Sequence, residues 1–174
     1  MKLEDLRLLV EAAKKGSYAA VTFNKATIDT ILEYMKENNI PRPLAAEKLH
    51  TTLLYSRRHL PDYNPQGKIA PAWIGTPTEF VVWETRGKFR DEPTKNCLVL
   101  KYKCKELTAR HEELMKEHPA TYDFPTYEAH ITFSYDIGDL DIKTLPSIEK
   151  YLSEIVIVNE YGEDLDLDFA KKNS

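Results

Sequence analysis

Leu49-His50-Thr51-Thr52-Leu53 and Ala129-His130-Ile131-Thr132-Phe133 are the two stretches that decide the fold of this 174-residue chain. Each reads His-x-Thr followed by an apolar residue and lies in a run of strand-forming residues. Successive side chains of a strand alternate between its two faces, so each histidine shares a face with the threonine two positions later. The remaining residues of both stretches point the other way. A polar pair on one face predicts a strand that lines a cleft.

The composition is that of one folded domain, residues 1–174. A chain of this length buries about 70% of its unfolded surface, and 42% apolar with 30% charged residues is ordinary for a globular protein. The net charge of −4 argues against binding to duplex nucleic acid or to a membrane surface. Cys97 and Cys104 are too few for a disulfide framework and indicate buried thiols in a cytoplasmic protein. No apolar run approaches 18 residues, so we expect no membrane span.

Hydrophobic periodicity predicts strands that alternate with amphipathic helices. The predicted strands are 17–23, 49–55, 78–85, 97–103, 127–135 and 155–158. Helices are predicted over 1–16, with Gly16 as the stop signal, from Ile28 to Met35 and from Leu107 to Met115. A polar loop is expected over 57–71. An acidic tail is expected over 159–174, where it could fold over the cleft as a lid.

The chain contains an internal repeat of pattern. A strand, a helix and a His-x-Thr strand start near residues 17, 26 and 49, and the same order starts again near 97, 105 and 128. The two histidines are 80 residues apart, although the two units share little side-chain identity. The repeat predicts an α+β fold with two pseudo-symmetric β-α-β lobes, whose antiparallel sheets surround a central cleft.

Two imidazoles that face each other across a cleft can act as a base and an acid at neutral pH, because an unperturbed histidine has a pKa near ~6.5. The two threonine hydroxyls can donate hydrogen bonds to an anion held between them. An anion with an attacking oxygen on one side and a leaving oxygen on the other is a phosphodiester. In a 3′–5′ linked ribonucleotide the 2′-OH can be the nucleophile, and no metal or other cofactor is required.

Two other uses of the histidines compete with this interpretation. A zinc site would need a third ligand and a close spacing such as His-x-x-x-His or Cys-x-x-Cys, and neither spacing is present. A single His-x-Thr is more typical of an ordinary core or surface histidine. Two copies at matching places in a repeated unit favour a shared site.

His50-Thr51-Thr52-Leu53 and His130-Ile131-Thr132-Phe133 resemble the two signatures of the 2H phosphoesterase superfamily, and the resemblance extends from about residue 17 to residue 158. Within it, Ser17-Tyr18-Ala19, the strand 49–54 and the acidic C-terminal segment resemble the anti-CBASS nucleases of T-even-like phages. The resemblance implies a bilobal 2H phosphoesterase-like fold. It also implies metal-independent hydrolysis of the cyclic di- and trinucleotide signals of bacterial CBASS immunity, such as 3′,3′-cyclic GMP–AMP. The catalytic residues that it implies are His50, Thr52, His130 and Thr132.

Four further residues are candidates for binding the bases of a nucleotide. Tyr18 and Trp73 can stack on a base, with a surface tyrosine and a core tryptophan as the alternatives. Glu163 could accept from a base amino group and Phe169 could cover a base, if the acidic tail folds over the cleft. The same segment could instead be a solubilising end.

Two other functions stay open at this level. The chain could be an RNA 2′,3′-cyclic phosphodiesterase or a 2′–5′ oligonucleotide hydrolase, or it could bind cyclic nucleotides without cleaving them. For all of these we expect a monomer that acts in the cytoplasm, that of a host bacterium if the chain is viral. The repeat makes the two histidines nearly equivalent, so the sequence does not assign base and acid between them.

Overall fold

The computed structural model describes residues 15–85 and 93–167. The strands of this part of the chain are β1 (Lys15–Phe23), β2 (Thr51–Ser56), β3 (Gly67–Thr85), β4 (Lys95–Lys103), β5 (His130–Ser134) and β6 (Ile155–Asp166). Its helices are α1 (Lys25–Glu37) and α2 (Lys105–Glu117), with short 3-10 turns at Ala46–Lys48, Ile142–Thr144 and Ile148–Lys150. The helix expected over 1–16 falls almost entirely outside the described residues. Gly16, expected to end it, lies instead in β1.

The strands form one six-stranded sheet in the order β2-β1-β6-β3-β4-β5, and every neighbouring pair is antiparallel. This confirms the α+β class and the antiparallel strands. The two strands that follow the helices, β2 and β5, lie at opposite ends of the strand order. They are therefore the two edges of the sheet.

The long strand β3 connects the two halves of the sheet. Its first part pairs with β6, from Gly67 to Gly75, and its second part pairs with β4, from Thr76 to Thr85. The loop expected over 57–71 is therefore shorter, and the strand expected to begin at residue 78 begins at Gly67. The irregularity between Lys68 and Trp73 contains Pro71, which has no N–H for a ladder hydrogen bond. Of the three prolines in the expected loop, at positions 61, 65 and 71, only Pro71 lies within β3.

The acidic segment after residue 159 was expected to be a tail, and this was wrong as far as Asp166. Residues Ile155–Asp166 form β6, which lies between β1 and β3 in the middle of the sheet. Glu160 is buried there, and only Glu163, Asp164 and Asp166 of this strand are exposed. The acidic composition predicted a solvent-exposed end, because a local sequence does not show which basic side chains from other elements pair with its carboxylates.

Each helix buries one face on the sheet. The Asn24 side chain begins α1 by accepting a hydrogen bond from the backbone N–H of Thr27 at 2.9 Å. Buried residues of α1 include Ile31, Tyr34 and Met35, and α2 buries Leu107, Arg110, His111 and Leu114. As predicted, Cys97 and Cys104 are buried free thiols. No helix in the described residues is long and apolar enough to cross a membrane.

The two strand–helix–strand units have similar local geometry. Both α1 and α2 contain 13 residues, and each starts two positions after the end of the preceding strand. β1 pairs with β2 and β4 pairs with β5, and each pairing shifts register once, between Ala19 and Ala20 and between Leu98 and Val99. The predicted element order of the two units is thus confirmed, within a single sheet.

Candidate active site

The two His-x-Thr segments meet although they lie on opposite edges of the sheet. His50 directly precedes β2, and His130 is the first residue of β5. The Thr51 hydroxyl donates a hydrogen bond of 2.8 Å to the backbone carbonyl of His130. The sheet therefore curves until its first and last strands come together, and both histidines lie where the edges meet.

The alternation predicted for both segments is confirmed by their burial. His50 and Thr52 are half-buried, whereas Thr51 between them is fully buried. His130 and Thr132 are half-buried, whereas Ile131 is fully buried. Each segment therefore presents its histidine, and the threonine two positions later, on the more open face.

Both imidazoles are held in the same way by the backbone. Nδ1 of His50 donates to the carbonyl of Lys48 at 2.8 Å, and Nδ1 of His130 donates to the carbonyl of Glu128 at 2.9 Å. A carbonyl can only accept, so in each ring the proton of the neutral form lies on Nδ1. This leaves Nε2 of both rings with a free lone pair, or with a proton to give when the ring is charged.

The surroundings of His130 favour its neutral form. Burial lowers the pKa of His130, and repulsion from the nearby His50 imidazole lowers it further, against the opposing effects of the Glu128 carbonyl and carboxylate. The ring is therefore neutral at pH 7. A neutral imidazole with a free Nε2 is suited to accept a proton.

Thr52 and Thr132 occupy corresponding places beside the histidines. The Thr52 hydroxyl is hydrogen-bonded to the Tyr18 hydroxyl at 2.9 Å, and Thr132 faces Val99 of β4 in the strand register. Burial raises the pKa of Tyr18, so its phenol stays protonated at neutral pH. Tyr18 thus places its ring 6.3 Å from that of His50, centroid to centroid, and its hydroxyl on Thr52.

A cavity of about 640 Å³ opens beside His50. Its walls include two of the residues predicted to bind a substrate, Tyr18 and Glu163, which face each other between β1 and β6. Tyr135 and Tyr161 complete an aromatic wall. The structure therefore brings Tyr18 and Glu163 together with His50, and Glu163 does so from β6 rather than from a tail.

A second cavity of about 710 Å³ opens beside His130. The Trp83 ring lies edge-on to the His130 imidazole, with 4.6 Å between the ring centroids. Phe124 forms part of the same cavity and is 66% exposed, which is unusual for a large apolar side chain. Each histidine therefore has its own aromatic-lined cavity.

The other two predicted binding residues are not part of these cavities. Trp73 faces Ile157 of β6 and packs against the hydrophobic core, so the core alternative describes its place. Its position after the predicted loop had made it a candidate for base stacking, but the residue lies inside β3. Phe169 lies outside the described residues.

Sequence reasoning missed Tyr135, Tyr161 and Trp83. Tyr135 lies 80 residues after Tyr55, so the repeat itself could have indicated it. Tyr161 was assigned to the tail, and Trp83 was taken for an ordinary strand residue. Strand composition does not distinguish an aromatic ring in the core from one beside an edge histidine.

The described residues contain no group of three or more His, Cys, Asp or Glu side chains that could hold a metal ion. A second polar cluster joins Ser17, His59 and Asp164. The Ser17 hydroxyl and the Asp164 carboxylate both approach the same ring nitrogen, Nδ1 of His59, at 3.5 and 3.6 Å. A Ser-His-Asp relay needs one partner on each nitrogen, so this cluster lacks the geometry of a nucleophilic triad.

The fold and the site together define a small antiparallel α+β protein with two histidines at the meeting edges of its sheet. Residues 15–172 match the family described as Anti-CBASS protein Acb1, and the chain belongs to that family.

Relatives of that name cover nearly the whole chain. Anti-CBASS protein Acb1 of Acinetobacter phage Ac42 is 36% identical over 169 residues, which is 97% of this chain and 99% of the relative. The protein of Enterobacteria phage T4 is 34% identical over 155 residues, 89% of this chain and 91% of its own length. The protein of Yersinia phage phiR1-RT is 32% identical over 163 residues, which is 94% of this chain and 97% of the relative.

Proposed function

We propose that this protein is a metal-independent phosphodiesterase that hydrolyses the 3′–5′ bonds of cyclic di- and trinucleotides such as 3′,3′-cyclic GMP–AMP. One observation carries the proposal: the two His-x-Thr segments meet across opposite sheet edges, and each histidine has Nδ1 bound to a carbonyl and Nε2 left for chemistry. Transfer at a phosphodiester needs one group that removes a proton and another that supplies one. Two such imidazoles provide both.

His130 is the better suited base, because burial and repulsion from the His50 imidazole hold its pKa below the usual value. In the proposed step Nε2 of His130 takes the proton of a ribose 2′-OH, whose oxygen attacks phosphorus. The bond from phosphorus to the 5′ oxygen breaks, and that oxygen receives a proton from Nε2 of charged His50. The first product carries a 2′,3′-cyclic phosphate. Water must then open this ring to complete the hydrolysis, with one imidazole removing the proton of the water and the other protonating the departing 2′ oxygen. Thr52 and Thr132 donate hydrogen bonds to the phosphoryl oxygens as charge develops there.

The two cavities support a substrate with more than one base. Tyr18, Tyr135 and Tyr161 line the cavity at His50, and Trp83 and Phe124 line the cavity at His130. Each cavity thus offers aromatic surface on which a base can stack. A phosphodiester between the histidines would place one nucleoside in each cavity.

The proposal extends to the architecture and the biological role. The two strand–helix–strand units would be the pseudo-symmetric lobes of a 2H phosphoesterase, with one catalytic histidine from each. The family name states a role against CBASS, and relatives of that name are encoded by phages. We therefore propose that the protein acts in the cytoplasm of an infected bacterium, where it counters CBASS by degrading its nucleotide signals. We also propose that the protein acts as a monomer, because both histidines belong to the same chain.

The test is to incubate the full chain with 3′,3′-cyclic GMP–AMP in EDTA and to separate the products by chromatography. We expect linear products from the wild type and a loss of about 10²- to 10⁴-fold in rate for His50→Ala and for His130→Ala. His118→Ala is the matched control, because His118 packs against Tyr63, away from both cavities. Thermal unfolding establishes that each variant is folded.

Folded His50→Ala and His130→Ala variants that cleave at the wild-type rate would overturn the proposal. Turnover of RNA with 2′,3′-cyclic ends, without turnover of the cyclic dinucleotide, would replace it with a role in RNA processing. Recovery of intact nucleotide from a stable complex would replace it with a binding protein.

A further inference from the structure

Thr51 is the residue between His50 and Thr52, and it faces away from the cavities. Its side chain is fully buried. The Tyr102 hydroxyl donates to Thr51 Oγ1 at 2.7 Å, and Thr51 in turn donates to the His130 carbonyl at 2.8 Å. The two hydrogen bonds form a relay from β4 through β2 to the first residue of β5.

This relay spans the place where the two halves of the site meet. Within the described residues β2 pairs with β1, and β5 pairs with β4. Contacts between the two edges use side chains: besides Thr51, the Tyr127 hydroxyl donates to the Thr52 carbonyl at 2.7 Å. A backbone ladder would fix the register at every residue, whereas the hydrogen bonds named here between the two edges come from hydroxyl groups.

The corresponding residue of the other segment is Ile131, which is equally buried and has no hydroxyl. Since an apolar residue occupies the equivalent position in the second segment, packing alone does not require a threonine at position 51. A buried hydroxyl destabilises the fold when it lacks a partner, so a polar residue here is consistent only with the relay intact. The hydrogen bond to the His130 carbonyl therefore explains why position 51 carries a hydroxyl.

We propose that Thr51 is a positioning residue, which together with Tyr102 fixes His130 in register with His50. The proposal rests on the proposed function for its catalytic consequence, but the positioning itself can be measured without activity. The relay requires the side-chain hydroxyl at position 51. Serine should therefore maintain the position of His130, whereas valine, which has the shape of threonine but no hydroxyl, should not.

The kinetic test compares Thr51→Val with Thr51→Ser on 3′,3′-cyclic GMP–AMP. We expect Thr51→Val to lower kcat about 10- to 100-fold, since small displacements of catalytic groups have effects of that size, while KM changes less than about threefold because both cavities remain. Thr51→Ser should retain kcat within about threefold. Thr27→Val is the matched control: Thr27 is also buried, and its hydroxyl accepts from the Val156 N–H at 3.1 Å.

The structural test follows the imidazole resonances of His130 by NMR in the same variants. Thr51→Val should shift the ring resonances and the titration of His130, and neither Thr51→Ser nor Thr27→Val should do so. An unchanged kcat with unchanged His130 resonances in Thr51→Val would overturn the proposal, as would an equal loss of kcat in Thr27→Val. Shifted resonances in a chain that cleaves no nucleotide would uphold the positioning and overturn the proposed function.

Discussion

Arg110 of α2 and Glu160 of β6 form a two-pronged buried ion pair. The guanidinium Nε and one terminal nitrogen donate to the two carboxylate oxygens at 2.9 and 3.0 Å. The Tyr63 hydroxyl and the Gln66 N–H donate to the same carboxylate at 2.8 and 3.2 Å. One carboxylate therefore fixes the helix and the 57–66 loop to the centre of the sheet.

Loss of the charge at Glu160 should destabilise the fold strongly. Glu160→Gln leaves the Arg110 guanidinium with only the half-exposed Glu113 carboxylate, 3.0 Å away, as a counter-charge. Removal of one partner of a buried pair typically costs about 3–5 kcal/mol. The measurement is urea unfolding at pH 7. Asp123→Asn is the control, since its pair with Arg57 is largely exposed and should matter much less. Equal losses for the two variants would contradict this account.

Replacement of both partners by apolar residues should recover much of that loss. In Arg110→Met/Glu160→Leu no buried charge is left alone, and such replacements are often neutral or stabilising. The loop would still lose the hydrogen bonds from Tyr63 and Gln66. We therefore expect a double variant more stable than Glu160→Gln, and more susceptible to proteolysis in the 57–66 loop than the wild type.

Gly75→Ala should destabilise the protein through Tyr102. An added Cβ at Gly75 would lie 2.6 Å from Cδ2 of the buried Tyr102 ring. Overpacking of this kind typically costs about 1–3 kcal/mol. The unfolding free energy of Gly75→Ala should be compared in the wild-type and Tyr102→Leu backgrounds. A smaller side chain at 102 should reduce the cost, and the same cost in both backgrounds would show that Tyr102 is not the cause.

Trp83, and not Trp73, should contribute to nucleotide binding. Loss of a stacking ring costs about 1–3 kcal/mol per base, so Trp83→Ala should raise the Kd of a non-hydrolysable cyclic dinucleotide about 5- to 150-fold. Trp73→Phe should leave the Kd unchanged, because Trp73 packs against the core. Calorimetric titration gives both values. The reverse result would show that the base proposed to bind in the His130 cavity binds elsewhere.

Stability should fall as the solution becomes acidic, in part because of His111. Nδ1 of His111 donates to the Leu53 carbonyl at 2.8 Å, and the ring stacks on Tyr127. Burial lowers its pKa in the folded protein, so the unfolded chain binds the proton more readily. The contribution is therefore complete above the unfolded pKa of about 6.5 and is lost as the pH falls through the lower folded pKa. Urea unfolding at pH 7 and pH 5.5 should show a smaller difference for His111→Gln than for the wild type.

Local periodicity was enough to place the elements around the site. The alternation around His50 and His130 is confirmed, because the side chains of a strand point alternately to core and solvent whatever its partners are. The helices after β1 and β4 were likewise correct, since amphipathic spacing reflects burial of one face. These features depend on neighbours a few residues away.

Other features depended on partners far along the chain. Glu160 was expected in a solvated tail because no nearby residue indicated Arg110, which precedes it by 50 positions. Trp73 was a candidate for base stacking, with a core tryptophan as the alternative, and Trp83 was not a candidate. Which ring lies beside His130 depends on how the long strand β3 is shared between β6 and β4.

The sequence by itself determined that this chain has two His-x-Thr strands, each with its polar pair on one face, because that follows from the two-residue period of a strand. Only the tertiary structure decided that the two pairs form one site. The strands are opposite edges of a curved sheet, and the hydroxyl of Thr51, pointing away from both histidines, joins one edge to the other. Such a contact depends on sheet curvature, which is summed over six strands and is not contained in any single segment.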